Sequence, residues 1–150
     1  MIDNGSSFAL LDLELGGNDG PGIDLAPGGV TPNGVTKLAN HNLDWPELRY
    51  DTARQKIAGK TCSRCRVQIY DREQGARKGN PHNGEGTHVI GEVLAGIDGS
   101  FVYPQGPATI SCADAQLVTM TATVPPGQWA TSEFTPDIAC ATTETGTPGG

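Results

Sequence analysis

Apolar and polar positions alternate most cleanly between residues 65 and 70, where Cys65, Val67 and Ile69 are separated by Arg66, Gln68 and Tyr70. A period of two puts alternate side chains on opposite faces of an extended ribbon, so this stretch predicts a β-strand with one side on a core. A second run, Val89-Ile-Gly-Glu-Val-Leu, and a third, Ser100-Phe-Val-Tyr-Pro104, are joined through Asp98-Gly99. Asp-Gly between β-prone runs signals a hairpin turn, because Gly takes positive φ without steric cost. Further strands are predicted at Ala108-Thr-Ile-Ser-Cys112, at Leu117-Val-Thr-Met-Thr-Ala-Thr-Val124 and at Ile138-Ala-Cys140. Their threonine density suits half-exposed strands, and Pro125-Pro126-Gly127 closes the middle one. The pattern predicts an all-β chain folded as a small antiparallel β-sandwich.

Outside that block the pattern thins. In the first 35 residues Leu11, Leu13 and Leu15 alternate with Asp12 and Glu14 between glycine-rich flanks, which reads as an extended arm with one short strand. Such a strand can be added to the edge of a sheet, its own or a neighbour's. Residues 36–60 read as a connecting segment: Pro46 after Trp45 favours an extended entry, and the remainder suits at most a short helix before Gly59. The sandwich is assigned to residues 61–140, with a surface loop over residues 80–87, and residues 141–150 form a low-complexity C-terminal tail. In a chain only 5% aromatic, Trp45, Trp129, Phe101 and Tyr103 are expected to anchor the core rather than to act as contact residues.

Composition changes this picture in two ways. The 21 Gly and 11 Pro, with only 36% hydrophobic residues, raise the entropic cost of ordering and disfavour helices. No apolar run approaches the roughly 20 residues of a membrane span, and the N-terminus lacks the basic-then-apolar pattern of a secretory signal, so neither membrane insertion nor conventional secretion is expected. Charge is strongly segregated within the net −7: nine of the ten Lys and Arg lie between Arg49 and Lys78 against three acids, while residues 1–48 and 79–150 carry seven acids each. An acidic whole repels phosphate and argues against nucleic acid as a partner. The basic middle either meets acidic surface on a neighbouring subunit or is covered by the chain's own acidic flanks. In the first case Arg49, Arg54, Arg64 and Arg66 are the contact residues, with Leu11, Leu13 and Leu15 on the arm.

Candidate chemistry is sparse. Cys62-Ser-Arg-Cys65 has metal-type spacing, and Cys112 and Cys140 would complete a four-sulfur zinc site, although the second pair lacks that spacing. The alternatives are buried thiols or a disulfide such as Cys112 to Cys140, the two-residue gap of Cys62 and Cys65 being tight for a local bridge. His82 and His88, at the loop, are candidates to join Cys62 and Cys65 as ligands, the alternative being that such loop histidines are simply solvated. No cofactor is expected, zinc being the alternative. No nucleophile elbow, phosphate-cradling loop or His-Glu-x-x-His motif is present, and Asp98 reads as a turn residue, so the chain is not expected to be an enzyme.

The segments Arg66-Val-Gln-Ile-Tyr-Asp-Arg-Glu-Gln-Gly75, Val89-Ile-Gly-Glu-Val and Ile97-Asp-Gly-Ser-Phe-Val-Tyr-Pro104 together resemble the carboxypeptidase-regulatory-like, transthyretin-like β-sandwich modules. The resemblance spans roughly residues 65–125. It departs from the pattern in the 76–87 insertion and in Pro107-Ala-Thr-Ile-Ser, which replaces a Gly-x-Tyr strand. It implies a transthyretin-like or immunoglobulin-like sandwich acting as a non-catalytic spacer or interaction unit. Similar segments occur in tail-associated structural proteins of bacterial viruses and in bacterial surface proteins. The expectation is therefore a virion structural protein of a tailed bacteriophage, assembled in the bacterial cytoplasm onto tail or capsid and binding other virion proteins or copies of itself. A bacterial surface or secreted binding module, and a zinc-stabilised regulatory subunit, are the alternatives.

Overall fold

The computed structural model describes residues 8–14, 22–25, 31–36, 40–51, 53–72, 86, 88–110, 117–126, 129–136 and 138–139. Leu15, His82, Cys112, Cys140 and the 141–150 tail lie outside the described residues. Among the described residues there are seven strands: β1 (Glu47–Asp51), β2 (Lys56–Lys60), β3 (Arg66–Arg72), β4 (His88–Leu94), β5 (Ser100–Tyr103), β6 (Leu117–Thr123) and β7 (Ile138–Ala139). They form a three-stranded sheet in the order β1-β2-β5 and a four-stranded sheet in the order β4-β3-β6-β7. Every pairing is antiparallel, with Ile57 opposite Tyr50 and Tyr103 in the first sheet and Val67 opposite Val93 and Ala122 in the second. The fold is all-β, a small antiparallel β-sandwich.

The core lies between the sheets. Tyr50, Ile57 and Phe101 from the first meet Val67, Ile69, Val93, Val118 and Met120 from the second, all under 8% exposed. At about 1.5–3 kcal/mol for each large apolar side chain removed from water, this layer is the principal source of stability. Glycine is required where strands approach most closely. Gly91 leaves room for the Tyr103 ring, which a β-carbon would strike, and the Tyr103 hydroxyl donates to the Ile90 carbonyl at 3.0 Å. That carbonyl belongs to the residue skipped where the β3–β4 register shifts, so the bulge does not strand it.

Three expectations change here. The expected short helix is limited, among the described residues, to one 3-10 turn at Asn40–Asn42, and the stretch before Gly59 is instead the β1–β2 hairpin, so the sandwich begins at Glu47 rather than at residue 61. The cause is alternation in Leu48, Tyr50 and Ile57, whose inward faces complete the core. The described part of the strand expected at 108–112 is irregular, because Lys56 Nζ donates to the carbonyls of Pro104, Gly106 and Ala108 at 2.7 Å each, and Ile110 N–H bonds Gln55 O. Trp129 is no core anchor but is 63% exposed, whereas Phe101 is buried and Tyr103 packs against the core.

The outer face of the four-stranded sheet is covered as well. Gln68, Tyr70, Thr119, Thr121 and Thr123, polar positions of the alternating pattern, are at most 5% exposed. Residues 8–14, 22–25 and 31 of the arm lie over them, together with side chains of residues 130–136, which run beside β6. The cover has its own apolar cluster, in which Ile23, Leu25, Tyr70 and Phe134 are packed with Leu10, Leu13 and Val89, and the Tyr70 and Phe134 rings meet edge to face at 5.2 Å. Hydrogen bonds supply the remainder. Leu25 N–H and Thr31 N–H donate to the two carboxylate oxygens of buried Glu133 at 2.9 Å, and Leu10 N–H donates to Thr131 Oγ1 at 2.8 Å. Asn40, in a left-handed turn that asparagine tolerates, accepts from Phe8 N–H and donates to Thr131 O. Along β6, Met120 N–H donates to Thr135 Oγ1 and Ala122 N–H to Ser132 Oγ, while Thr135 N–H and Ser132 N–H donate back to the Met120 and Ala122 carbonyls. Two hydroxyls thus stand where ladder carbonyls would, and the β7 edge is prolonged as a side-chain-mediated strand. The described part of the arm accordingly lies across a face of its own sheet, with Leu13 in the outer cluster, and touches the 130–136 edge through Thr131 N–H donating to Phe8 O at 3.0 Å.

Candidate functional site

A surface groove forms where the arm, the start of β3, the end of β4 and the chain beyond β6 converge. It has a volume of about 210 Å³ and is lined by Leu11, Arg64, Arg66, Leu94, Pro125 and Trp129, among others. Each wall has a local cause. Leu11 is placed by the neighbouring arm contacts, in which Asp12 N–H donates to Gln68 Oε1 and Leu10 N–H to Thr131 Oγ1. Pro125 and Pro126 end β6, since proline offers no ladder donor. Leu94 ends β4 pointing away from the core and is 62% exposed.

Arg64 and Trp129 both take positive φ, 56° and 52°. For a bulky side chain that is an energetic outlier, and such strain is retained where the surroundings and the use of the residue require it. Arg64 sits in the turn between β2 and β3, where its N–H donates to Gly96 O at 3.0 Å and Ala95 N–H donates to Cys65 O at 2.9 Å. These bonds tie the turn to the β4–β5 hairpin. Cys62 and Cys65 are joined by a disulfide across the same turn, with Cα atoms 5.4 Å apart. The local bridge that the spacing made improbable is therefore present, because the left-handed Arg64 folds the turn back on itself. It also removes this pair from the zinc alternative, since disulfide sulfurs are not thiolate ligands. His88 faces Asp71, 3.4 Å from Nδ1 to the carboxylate, and the Asp71 carboxylate accepts the His88 N–H.

The electrostatics of the groove are uneven. Arg66 Nε lies 3.4 Å from Glu92 Oε1, and Glu92 Oε2 accepts from Gln68 Nε2, which also donates to Asp12 Oδ1. Tyr70 OH donates to Gln68 Oε1 at 2.9 Å. Burial pushes the Tyr70 hydroxyl above its ordinary value near 10, against the lowering pull of the Leu13 N–H. Arg64 is exposed, and no carboxylate of the described residues pairs with it. The groove therefore offers an apolar floor, an exposed indole and one guanidinium available for an anion.

Of the contact residues expected from sequence, Leu11, Arg64 and Arg66 are brought together here. Leu13 is committed to the outer cluster. Arg49 projects from the solvent face of β1, opposite Ala58, and Arg54 lies in the β1–β2 turn, 3.8 Å from Asp51. Trp129 and Leu94 were missed as contact residues. The signal for Trp129 was its place two residues beyond Pro125-Pro126-Gly127, outside any alternating run.

A small antiparallel β-sandwich with an aromatic and arginine-bearing groove is the class that fold and site define. No family model matches the chain, nor does any curated protein or solved structure.

Proposed function

We propose that this protein is a non-enzymatic structural protein of a tailed bacteriophage virion, a tail- or capsid-associated component that binds neighbouring subunits through the Trp129 groove. The observation that carries this reading is the convergence of Leu11, Arg64 and Arg66 with exposed Leu94 and Trp129 on one concave surface. Tryptophan and arginine in such settings supply most of the binding energy of protein interfaces, with the surrounding apolar contacts excluding water. The basic middle of the chain would steer the groove towards acidic surface on a virion neighbour or another copy, without nucleic acid or membrane as partner. The test is incorporation into particles. In infected bacteria the wild-type chain should co-purify with virions through a density gradient, and Trp129→Ala or Arg64→Glu should reduce incorporation at least about tenfold, the size of a typical lost hot spot. Equal incorporation of folded variants, or a wild-type chain absent from particles, would contradict it.

One observation favours a second reading, a bacterial surface or secreted binding module. The Cys62–Cys65 disulfide suits an oxidising compartment. Fractionation of the native bacterium decides between them: a chain recovered at the cell surface in uninfected cells supports the module.

A further inference from the structure

We propose that the occupant of the Trp129 groove is a second copy of this chain, which inserts its β4–β5 hairpin tip, Ile97 and Asp98, and receives the first copy's tip in return. This rests on the reading of the groove as a docking surface and goes further by naming what docks.

The tip is built as a knob. Ile97 is 73% exposed, the highest among the large apolar side chains of the described residues. Its turn is rigid: Gly96 N–H bonds Ser100 O at 2.9 Å, Gly99 N–H bonds Gly96 O at 3.0 Å, and Gly99 supplies the positive φ of 84°. The Asp98 carboxylate is fixed by Ser100 N–H at 3.0 Å and Ser100 Oγ at 2.9 Å, yet remains fully in solvent. An isoleucine beside an oriented carboxylate is the chemical complement of an apolar groove beside an unpaired guanidinium. Because tip and groove are both held by their own backbone bonds, little ordering entropy opposes their union.

Symmetry follows from placement. The Arg64 N–H bond to Gly96 O ties the groove wall to the root of the hairpin, and Leu94 of the groove lies three residues before Ile97. Knob and groove therefore share one end of the molecule. A two-fold axis at that end lets each copy's Ile97 enter the other's groove and each Asp98 meet the other's Arg64. Such a contact is self-complementary and closes as a dimer.

Sedimentation velocity on the full chain tests this by charge exchange. The wild type should sediment as a dimer. Arg64→Glu alone opposes two carboxylates and Asp98→Arg alone opposes two guanidiniums, so each should dissociate at least tenfold more readily. An equimolar mixture of the two variants pairs the introduced Glu with the introduced Arg at one contact and keeps the native Asp98–Arg64 pair at the other, and should restore the dimer. Two uncharged variants at exposed sites, Leu94→Ser and Ile97→Ser, should also weaken it tenfold, which keeps the test decisive if a charge variant misfolds. A wild type that stays monomeric at about 1 mM, where only contacts weaker than about 4 kcal/mol escape detection, would overturn the proposal. Folded variants that dimerise like the wild type, or folded single variants whose mixture stays monomeric, would do the same. If the wild type is monomeric but Trp129→Ala is still lost from particles, the second copy is the wrong occupant while the docking surface stands. Loss of both effects removes both.

Discussion

Along β3 and β6 the two faces of the four-stranded sheet are both dry but are kept so by different forces. The inner face is apolar, and Val67, Ile69, Val118 and Met120 are buried against the opposite sheet by area alone. The outer face carries Gln68, Tyr70 and three threonines, and its cover is held by directed bonds to Glu133, Thr131, Asn40 and Gln68. Apolar burial is non-directional and forgives small shifts, whereas a buried polar layer loses stability with each donor parted from its acceptor. The comparison teaches that one strand can belong to two cores governed by different rules.

The largest effect is expected on the inner side. Ile69→Ala removes a side chain with no exposure from between the sheets and should cost about 2–5 kcal/mol, measured by denaturant unfolding. The loss should be global, with every amide exchanging faster. Next comes Glu133→Gln on the outer side. Its amide accepts from only one of the Leu25 and Thr31 N–H groups and turns a donor on the other, at about 1–3 kcal/mol. Amide exchange should quicken at Leu25 and Thr31 while Val67 and Ile69 stay protected; uniform loss of protection would show that the cover and the sandwich unfold as one. The smallest change at neutral pH is Tyr70→Phe, which deletes the donation to Gln68 and the longer 3.5 Å bond from Leu13 N–H, at about 1 kcal/mol. Its signature is alkaline. Because the folded-state Tyr70 value lies above the unfolded one near 10, its contribution is complete below pH 10 and is lost as pH rises through the folded value. The wild type should lose stability over that window, and the Phe variant should lose less.

The inner core was legible because its signal is a period of two: Val67 and Ile69, with Gly99 at the turn, announce strands and a hairpin in any order of reading. The β1–β2 hairpin was missed because its alternation is short and Lys56 and Lys60 at its ends resemble a polar helix face. The outer core was illegible in principle from periodicity. Gln68 and Tyr70 look like solvent positions, and only the cover, whose contacts span more than 50 residues of sequence, makes them interior. The groove was half legible. Charge segregation pointed to Arg64 and Arg66, but Arg49 and Arg54 carry the same signal and lie elsewhere, since charge in a sequence has no direction until strands give it one. Trp129 was assigned to the core on size, and its left-handed backbone, which turns the ring outward, has no composition cue.

The hydroxyls of Ser132 and Thr135 that pair with β6 have a consequence for what this molecule can turn into. A carbonyl ladder is generic, and almost any polypeptide can zip onto one, which is how fibrils recruit fresh chains. While Ser132 and Thr135 hold the Met120 and Ala122 main-chain groups, that flank of β6 shows no vacant ladder, and a stray strand could zip on there only after this segment had peeled away.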